Sequence, residues 1–136
     1  MKRTDLHALA ERFFHGQDRL KRPIPPELLT DDYVAEIAGF PPMDAAGHGG
    51  FGQAFYGAFP DLHHTIDEVR AMDGGAIVRF TVRGTQTDDF MGLPPTGRAI
   101  EVTAIVLLTV DGDRVRHLRA IFDRFGLLQQ LGVIPE

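Results

Sequence analysis

Residues 99–125 read AIEVTAIVLLTVDGDRVRHLRAIFDRF, and the spacing of their apolar side chains decides the fold. The period is two rather than 3.6, the pattern of strands that present alternate residues to opposite faces. Asp111-Gly112-Asp113 interrupts the run, and Asp and Gly tolerate the positive φ angles that a tight hairpin turn requires. The segment therefore reads as two long antiparallel strands, Ala99–Val110 and Arg114–Phe125. Towards the N-terminus the same period begins at Pro60 and predicts two more, Leu62–Met72 and Ala76–Thr87, joined at Asp73-Gly74-Gly75. Between the two pairs an ordered excursion, Asp88 to Arg98, carries Phe90-Met91-Gly92-Leu93-Pro94-Pro95-Thr96-Gly97.

Upstream of Pro60 the period is helical. Thr4 is placed to cap a helix whose apolar residues Leu6, Leu9, Ala10, Phe13 and Phe14 recur at three- and four-residue steps, and Gly16 marks its expected end. Pro23, Pro25 and Pro26 exclude regular structure, and Leu28 to Asp32 reads as a short turn before a brief strand, Tyr33–Ile37. Met43 to Phe59 reads as a second helix, with Asp44 near its start and Phe51, Ala54, Phe55 and Ala58 on one stripe. Gly47-His48-Gly49-Gly50 weakens its first turns, because glycine disfavours helix by about 1 kcal/mol per residue; a firm helix is expected from Phe51 onward. The ending, Gly126 to Gly132, reads as a short helix or turn. Helices followed by a long meander define an α+β fold: a curved antiparallel sheet with N-terminal helices packed on its concave face, a cone-shaped α+β barrel with a mouth. The 136 residues read as one domain, 1–136.

Composition narrows the function classes. With 14 Lys+Arg against 19 Asp+Glu and a net charge of -5, a sequence-independent grip on phosphates is not expected, so nucleic acid is not an expected partner. The chain contains no Cys, which excludes disulfides, thiolate nucleophiles and thiolate metal sites. It contains no Ser either, which excludes serine-hydrolase chemistry. His7, His15, His48, His63, His64 and His117 show no metal-ligand spacing, and no metal is expected. Met1 to Gln17 mixes charged and apolar residues unlike a signal peptide, and no run approaches the roughly 20 apolar residues of a spanning helix. A cytoplasmic protein with no membrane partner is expected.

Four segments then occur in order: Phe59-Pro60-Asp61-Leu62-His63, Gly84-Thr85-Gln86-Thr87, Phe90 to Gly97, and Phe122-Asp123 with the Gly126 to Gly132 ending. Together they resemble the SnoaL-like polyketide cyclase family, within the larger group of cone-shaped α+β barrels that includes ketosteroid isomerase and nuclear transport factor folds. The resemblance covers most of the chain from Asp31 onward. It implies an enzyme that closes rings on aromatic polyketide intermediates by intramolecular aldol chemistry, without metal or cofactor; the expected activity is accordingly acid/base chemistry, aldol cyclisation or isomerisation, on a hydrophobic, carbonyl-bearing small molecule. It also implies an aspartate late in the last strand as general acid/base, a position that falls on Asp123. Related sequences often carry a His after the segment matching Asp31-Asp32-Tyr33-Val34; this chain has Ala35-Glu36-Ile37 there, which makes Glu36 the candidate in its place.

The residues themselves leave alternatives open. Within an apolar strand, burial would raise the pKa of Asp123 and fit it for proton transfer; three residues before Gly126, it could equally cap the terminal helix. If no bulge intervenes, Ile121, Arg119 and His117 share its strand face, where Arg119 could hold an enolate oxygen and His117 relay a proton. The plainer reading makes Arg116, His117 and Arg119 a solvated face. His48 could reach the mouth of the cone or stand exposed. Arg79 shares a face with Thr81 and Arg83, opposite Val78, Phe80 and Val82, and is either on the outside or an anchor for an acidic substrate group. Phe51, Phe55, Phe90 and Met91 are candidates for the lipophilic wall of a cavity of about 300–1,000 Å³, although Phe90-Met91 also reads as a lid, a dimer contact or a plug of the barrel end. A homodimer covering the open sheet face is expected. The rival to the enzyme is a non-catalytic module of the same fold that binds an apolar metabolite or docks another protein. Epoxide opening by an Asp-activated water is a third option.

Overall fold

The computed structural model describes residues 3–20, 24 and 26–134. In chain order the elements are helix α1 (Arg3–Leu20), a 3₁₀ turn (Pro26–Leu28), strand β1 (Leu29–Ile37), helix α2 (Ala45–Ala58), strands β2 (His63–Met72), β3 (Gly75–Thr85), β4 (Ala99–Asp111) and β5 (Arg114–Phe122), and helix α3 (Arg124–Gln130). One five-stranded sheet runs in the order β1-β5-β4-β3-β2 and does not close on itself. The α+β cone architecture read from the sequence is the one observed.

Strand β4 is the spine of the sheet. Ile100, Val102, Ala104, Val106 and Leu108 are buried, while the residues between them are exposed, so one face of the strand meets the helices and the other meets solvent. Its neighbours pair in register, Val78 and Ala120 both opposite Val106, and extend the apolar face sideways. Two strand readings are corrected. β1 begins at Leu29 rather than Tyr33, and it pairs with β5 in parallel, so the sheet is mixed rather than wholly antiparallel. The long path from β1 to β5 supplies the crossover that a parallel pair needs, and alternation within β1 carries no mark of its partner's direction. β5 stops at Phe122 instead of Phe125 because Asp123 leaves the strand to start α3.

Both helix readings also change. α1 does not stop at Gly16 but continues to Leu20. Phe13, Phe14 and Gln17 are buried against the sheet, and this packing outweighs the cost of one helical glycine. The side chain of Thr4 and residues Pro23 and Pro25 lie outside the described residues. α2 is helical from Ala45 through its glycine cluster. Asp44 caps it, its carboxylate accepting from the Gly47 N–H at 2.8 Å, and His48, Phe51, Phe55 and Tyr56 turn one stripe of the helix inwards.

The core has two parts. In the larger, α1 packs chiefly on β2 and also on β3, and its Leu9, Phe13 and Phe14 join inward residues of β3, β4 and β5 in one buried cluster. The smaller, built on Phe59, Phe90, Ile100, Val102 and Leu127, closes the other end. Phe90 is buried against Phe55 and Phe59 at ring-centroid distances of 4.8 and 5.4 Å, so the excursion after β3 plugs that end of the cone. Gln86, fully buried, organises the excursion. Its amide donates to the carbonyls of Asp88, Leu93 and Pro94 and accepts from the amide and hydroxyl of Thr96. On the outer face Ile105, Leu107 and Ile121 are exposed, Ile121 by 68%. No described helix is long and apolar enough to cross a membrane.

Candidate functional site

Between α1, α2 and the inner sheet face lies a cavity of about 110 Å³. It is narrower than the several hundred cubic ångströms expected, because Phe13, Phe14, Phe80 and Phe122 fill much of the cone from its walls. The cavity is mainly apolar, and its polar side chains are Gln17, His48, Tyr56 and His64.

The continuation of α1 past Gly16 creates the first part of the site. Gln17 and Asp18 stand one helical turn beyond Phe13 and Phe14 and so share their inward face. Asp18, with a side chain only 7% exposed, accepts three hydrogen bonds. The Tyr56 hydroxyl donates to Oδ1 at 2.6 Å, the His64 backbone N–H to Oδ2 at 2.7 Å, and the His64 ring Nδ1 lies 2.6 Å from Oδ1. Burial opposes the charge and is the largest single influence, yet the bonds from His64, the charge attraction to its ring and the bond from Tyr56 together outweigh it and hold the carboxyl below its ordinary range. Asp18 is therefore a carboxylate, an acceptor only, so the His64 Nδ1 facing it carries a proton and Nε2 is the ring nitrogen turned away from it. Among the described residues no side chain takes up that Nε2. The ring packs between Phe14 and Phe80, at 5.3 and 5.1 Å between centroids, and lines the cavity. His63, adjacent in β2, is 60% exposed and reaches the same carboxylate at 3.3 Å.

A second imidazole approaches from α2. His48 Nδ1 lies 2.8 Å from the hydroxyl of Tyr33, a buried residue of β1. The phenol needs an acceptor for its proton, and among the described residues His48 supplies the one it has. Tyr33 therefore donates to Nδ1, and the His48 proton sits on Nε2. Burial depresses the His48 pKa to about 4 and raises that of Tyr33, so both are neutral at pH 7. The site thus holds two imidazoles, His64 with its Nε2 turned away from Asp18 and His48 with a free N–H. The second has a consequence for stability. Because the folded pKa of His48 is depressed, the unfolded chain takes up the proton first, and stability present above about pH 6.5 is lost as pH falls towards 4. Between pH 7 and 5 the loss from this group is about 2 kcal/mol. Urea unfolding at the two pH values is expected to show that much less loss in His48→Gln than in wild type; equal losses would contradict a buried neutral His48.

The residues singled out from the sequence divide sharply. His48, Phe51 and Phe55 line the cavity. Asp123 does not. It is exposed, its backbone N–H still bonds the Thr103 carbonyl of β4, and its side chain folds back to cap α3 by accepting from the Gly126 N–H at 2.9 Å. A Cβ at Gly126 would collide with that carboxylate, so the glycine makes the cap possible. His117, Arg119 and Ile121 share one face of β5, but it is the outer one. There the His117 ring lies 2.6 Å and Arg119 Nε 3.0 Å from the Glu36 carboxylate, which the bonds from Arg119 and then His117 hold below its usual range. Glu36 consequently points away from the cavity as well. Arg79 is outside, paired with Glu68 at 3.3 Å and Asp67 at 3.5 Å. Phe90 is a plug, and Met91 is exposed at the tip of the excursion with φ of 48°. Neither borders the cavity.

The fold agrees with the comparisons. The family model described as SnoaL-like polyketide cyclase matches residues 8–131, and the chain belongs to that family. IdmH of Streptomyces antibioticus, a candidate polyketide cyclase, is 31% identical, with a TM-score of 0.74 over 96% of this chain and 97% of its own. AclR of Streptomyces galilaeus, a candidate hydroxylase, superposes with a TM-score of 0.87 over 98% of this chain and all of its own, at 22% identity. A Mycobacterium tuberculosis LEH-like epoxide hydrolase gives 0.71 over 94% and 90%, at 16% identity. At those lower identities the likeness is one of fold. No curated protein matches the sequence.

Proposed function

We propose that the chain is a cofactor-independent carbonyl acid/base enzyme of cyclase or isomerase type, with His64 as the base. The observation that carries this reading is the 2.6 Å contact of His64 Nδ1 with the Asp18 carboxylate on a ring that lines an apolar cavity. An imidazole so oriented keeps a basic nitrogen for substrate, and the carboxylate stabilises the cation formed when that nitrogen takes a proton. Nε2 of His64 removes a proton from the carbon beside a carbonyl, and the C–H electron pair passes into an enolate. The enolate oxygen accepts from the Nε2–H of His48, a donor fixed in direction by Tyr33. Where a β,γ-double bond extends the enolate to a dienolate, the imidazolium returns its proton to the γ-carbon and the double bond moves into conjugation with the carbonyl, which isomerises the substrate. Alternatively, the enolate carbon bonds to a second carbonyl carbon of the same molecule and the new alkoxide takes the proton, which closes a ring. Neither route needs an oxidant or reductant, and neither uses Asp123.

Proton removal is measurable before the natural substrate is known. Small ketones incubated with the protein in D₂O are expected to exchange their α-hydrogens faster than in buffer. Binding without any acceleration would favour the non-catalytic module instead.

We also propose that a second copy of the chain covers the outer sheet face. Ile105, Leu107 and Ile121 are exposed there beside groups of both signs, Glu36 and Asp123 with Arg119. A twofold-related copy therefore meets apolar surface with apolar surface and opposite charge with opposite charge. Sedimentation of the wild type is expected to show a dimer that Ile121→Glu converts to monomer; a monomeric wild type would refute the pairing.

A further inference from the structure

Gln17 is a polar side chain of the cavity wall that the proton transfers do not use. It is 8% exposed and lines the cavity with Phe13, Phe14 and His64. Its amide Nε2 donates to the Phe13 carbonyl at 3.0 Å, which fixes the sense of the amide: the nitrogen turns back along α1, and Oε1 turns away from that carbonyl. Towards Oε1 stands Gly52 of α2, on which a Cβ would lie 3.9 Å from the oxygen. Gly52 borders the cavity as well, so Oε1 faces the gap between the two helices. Among the described residues no donor reaches it. No fully buried side-chain oxygen or nitrogen among those residues lacks a hydrogen-bond partner, so an Oε1 without one is open to the cavity.

Packing does not account for this residue. The Phe13 carbonyl already has a helical partner, the backbone N–H of Gln17 itself, and the amide adds a second donor where one suffices. A leucine would occupy a comparable volume beside Phe13, Phe14 and Tyr56 without desolvating a carbonyl oxygen, which is unfavourable unless a donor meets it. Small-molecule sites use such groups, few and directed, to fix orientation. An amide oxygen only accepts. It repels the oxygen of a ketone or an ether and matches an O–H. The cyclisation route requires two carbonyl groups in one molecule, and such a compound presents an O–H in its enol form.

We propose that Gln17 Oε1 accepts a hydrogen bond from an enolic or phenolic hydroxyl of the substrate, which is therefore a hydroxylated ketone. Gln17 is then a specificity residue. The hydroxyl is held at α1 while the carbonyl takes the N–H of His48 on α2, and the two anchors decide which carbon lies against His64. The inference rests on the reading of the cavity as the site of a carbonyl acid/base enzyme and adds the second anchor to it.

The probes are 5-, 6- and 7-hydroxy-1-tetralone, which set the hydroxyl at different distances from the ketone, each paired with its methyl ether. Dissociation constants are read by NMR titration of the wild type and of Gln17→Leu. In the wild type at least one phenol is expected to bind about tenfold more tightly than its ether, and in Gln17→Leu that ratio is expected to fall to about twofold or less. The side-chain amide signals of Gln17 supply a reading that needs no variant, since the favoured phenol is expected to move them further than its ether does. Ethers that bind as tightly as every phenol, a ratio unchanged in Gln17→Leu, or Gln17 signals that stay fixed as the phenol binds would overturn the proposal. Exchange of α-hydrogens in D₂O separates it from the reading beneath. Exchange lost in His64→Gln, without any preference for a phenol, removes Gln17 and keeps the base. A preference that depends on Gln17, without exchange into any tetralone, keeps the hydroxyl contact and removes the base.

Discussion

His64→Gln is expected to lower α-hydrogen exchange by about 10²–10⁴-fold, the usual contribution of a single positioned acid/base group. Glutamine is close in length, and its amide N–H can still donate to Asp18, so the fold and the apolar walls persist. What it lacks is a basic nitrogen on the cavity side. Asp123→Asn is the matched control. Its carboxylate is exposed and bonded to the Gly126 N–H, a bond that an amide oxygen also accepts, so exchange in that variant is expected to stay near the wild-type rate. The opposite pattern, with exchange lost in Asp123→Asn and kept in His64→Gln, would move the chemistry to the outer surface. Asp18→Asn approaches the same centre from behind. An amide that turns its N–H₂ towards His64 forces the ring proton from Nδ1 to Nε2 and removes the lone pair from the cavity; a comparable tautomer error in a serine protease costs roughly 10⁴-fold.

Asp18→Ala is expected to cost about 3–5 kcal/mol of stability, the usual penalty for removing one member of a buried charged cluster. The carboxylate takes the Tyr56 hydroxyl, the His64 backbone N–H and the His64 ring nitrogen. Alanine leaves all three without that acceptor in a place where its side chain admits little water, and it also releases the tie between α1, α2 and β2. For a chain of this length the melting temperature should fall by roughly 10–15 °C. Tyr56→Phe removes one of the three bonds and should cost about 1 kcal/mol. If Asp18→Ala melts with the wild type, the cluster does not hold the helices to the sheet. The acid limb carries the same sign: because the Asp18 pKa is depressed on folding, its contribution is full above the ordinary aspartate range and is lost as pH falls through and below it.

How much of this was legible beforehand depended on whether the signal was local. The alternation of β4, the Asp-Gly turns and the stripe of α2 are each complete within a dozen residues, and each was read within a residue or two. The base was not. Asp18 and His64 are separated by 46 positions, and their meeting depends on α1 running through Gly16. A helix ended at that glycine loses the carboxylate, and His64 is then left as one of two adjacent histidines with no partner. The helix stripe held the missing signal, since Gln17 and Asp18 stand four positions after Phe13 and Phe14. Asp123 shows the converse. The three-residue spacing to Gly126 marked it as a cap, and the family resemblance placed it in a strand that ends one residue earlier. His117, Arg119 and Ile121 were correctly grouped by strand periodicity, but a period of two says which residues share a face and not which face is the inner one, and their pairing with Glu36 spans more than 80 positions.

A single spectrum bears most directly on His64. In a long-range ¹H–¹⁵N correlation at neutral pH, the account predicts a proton on Nδ1, an unprotonated Nε2, and movement of the Nε2 resonance when 2-cyclohexen-1-one is added. A proton found on Nε2, or an Nε2 resonance that stays fixed while the ketone binds, would contradict it.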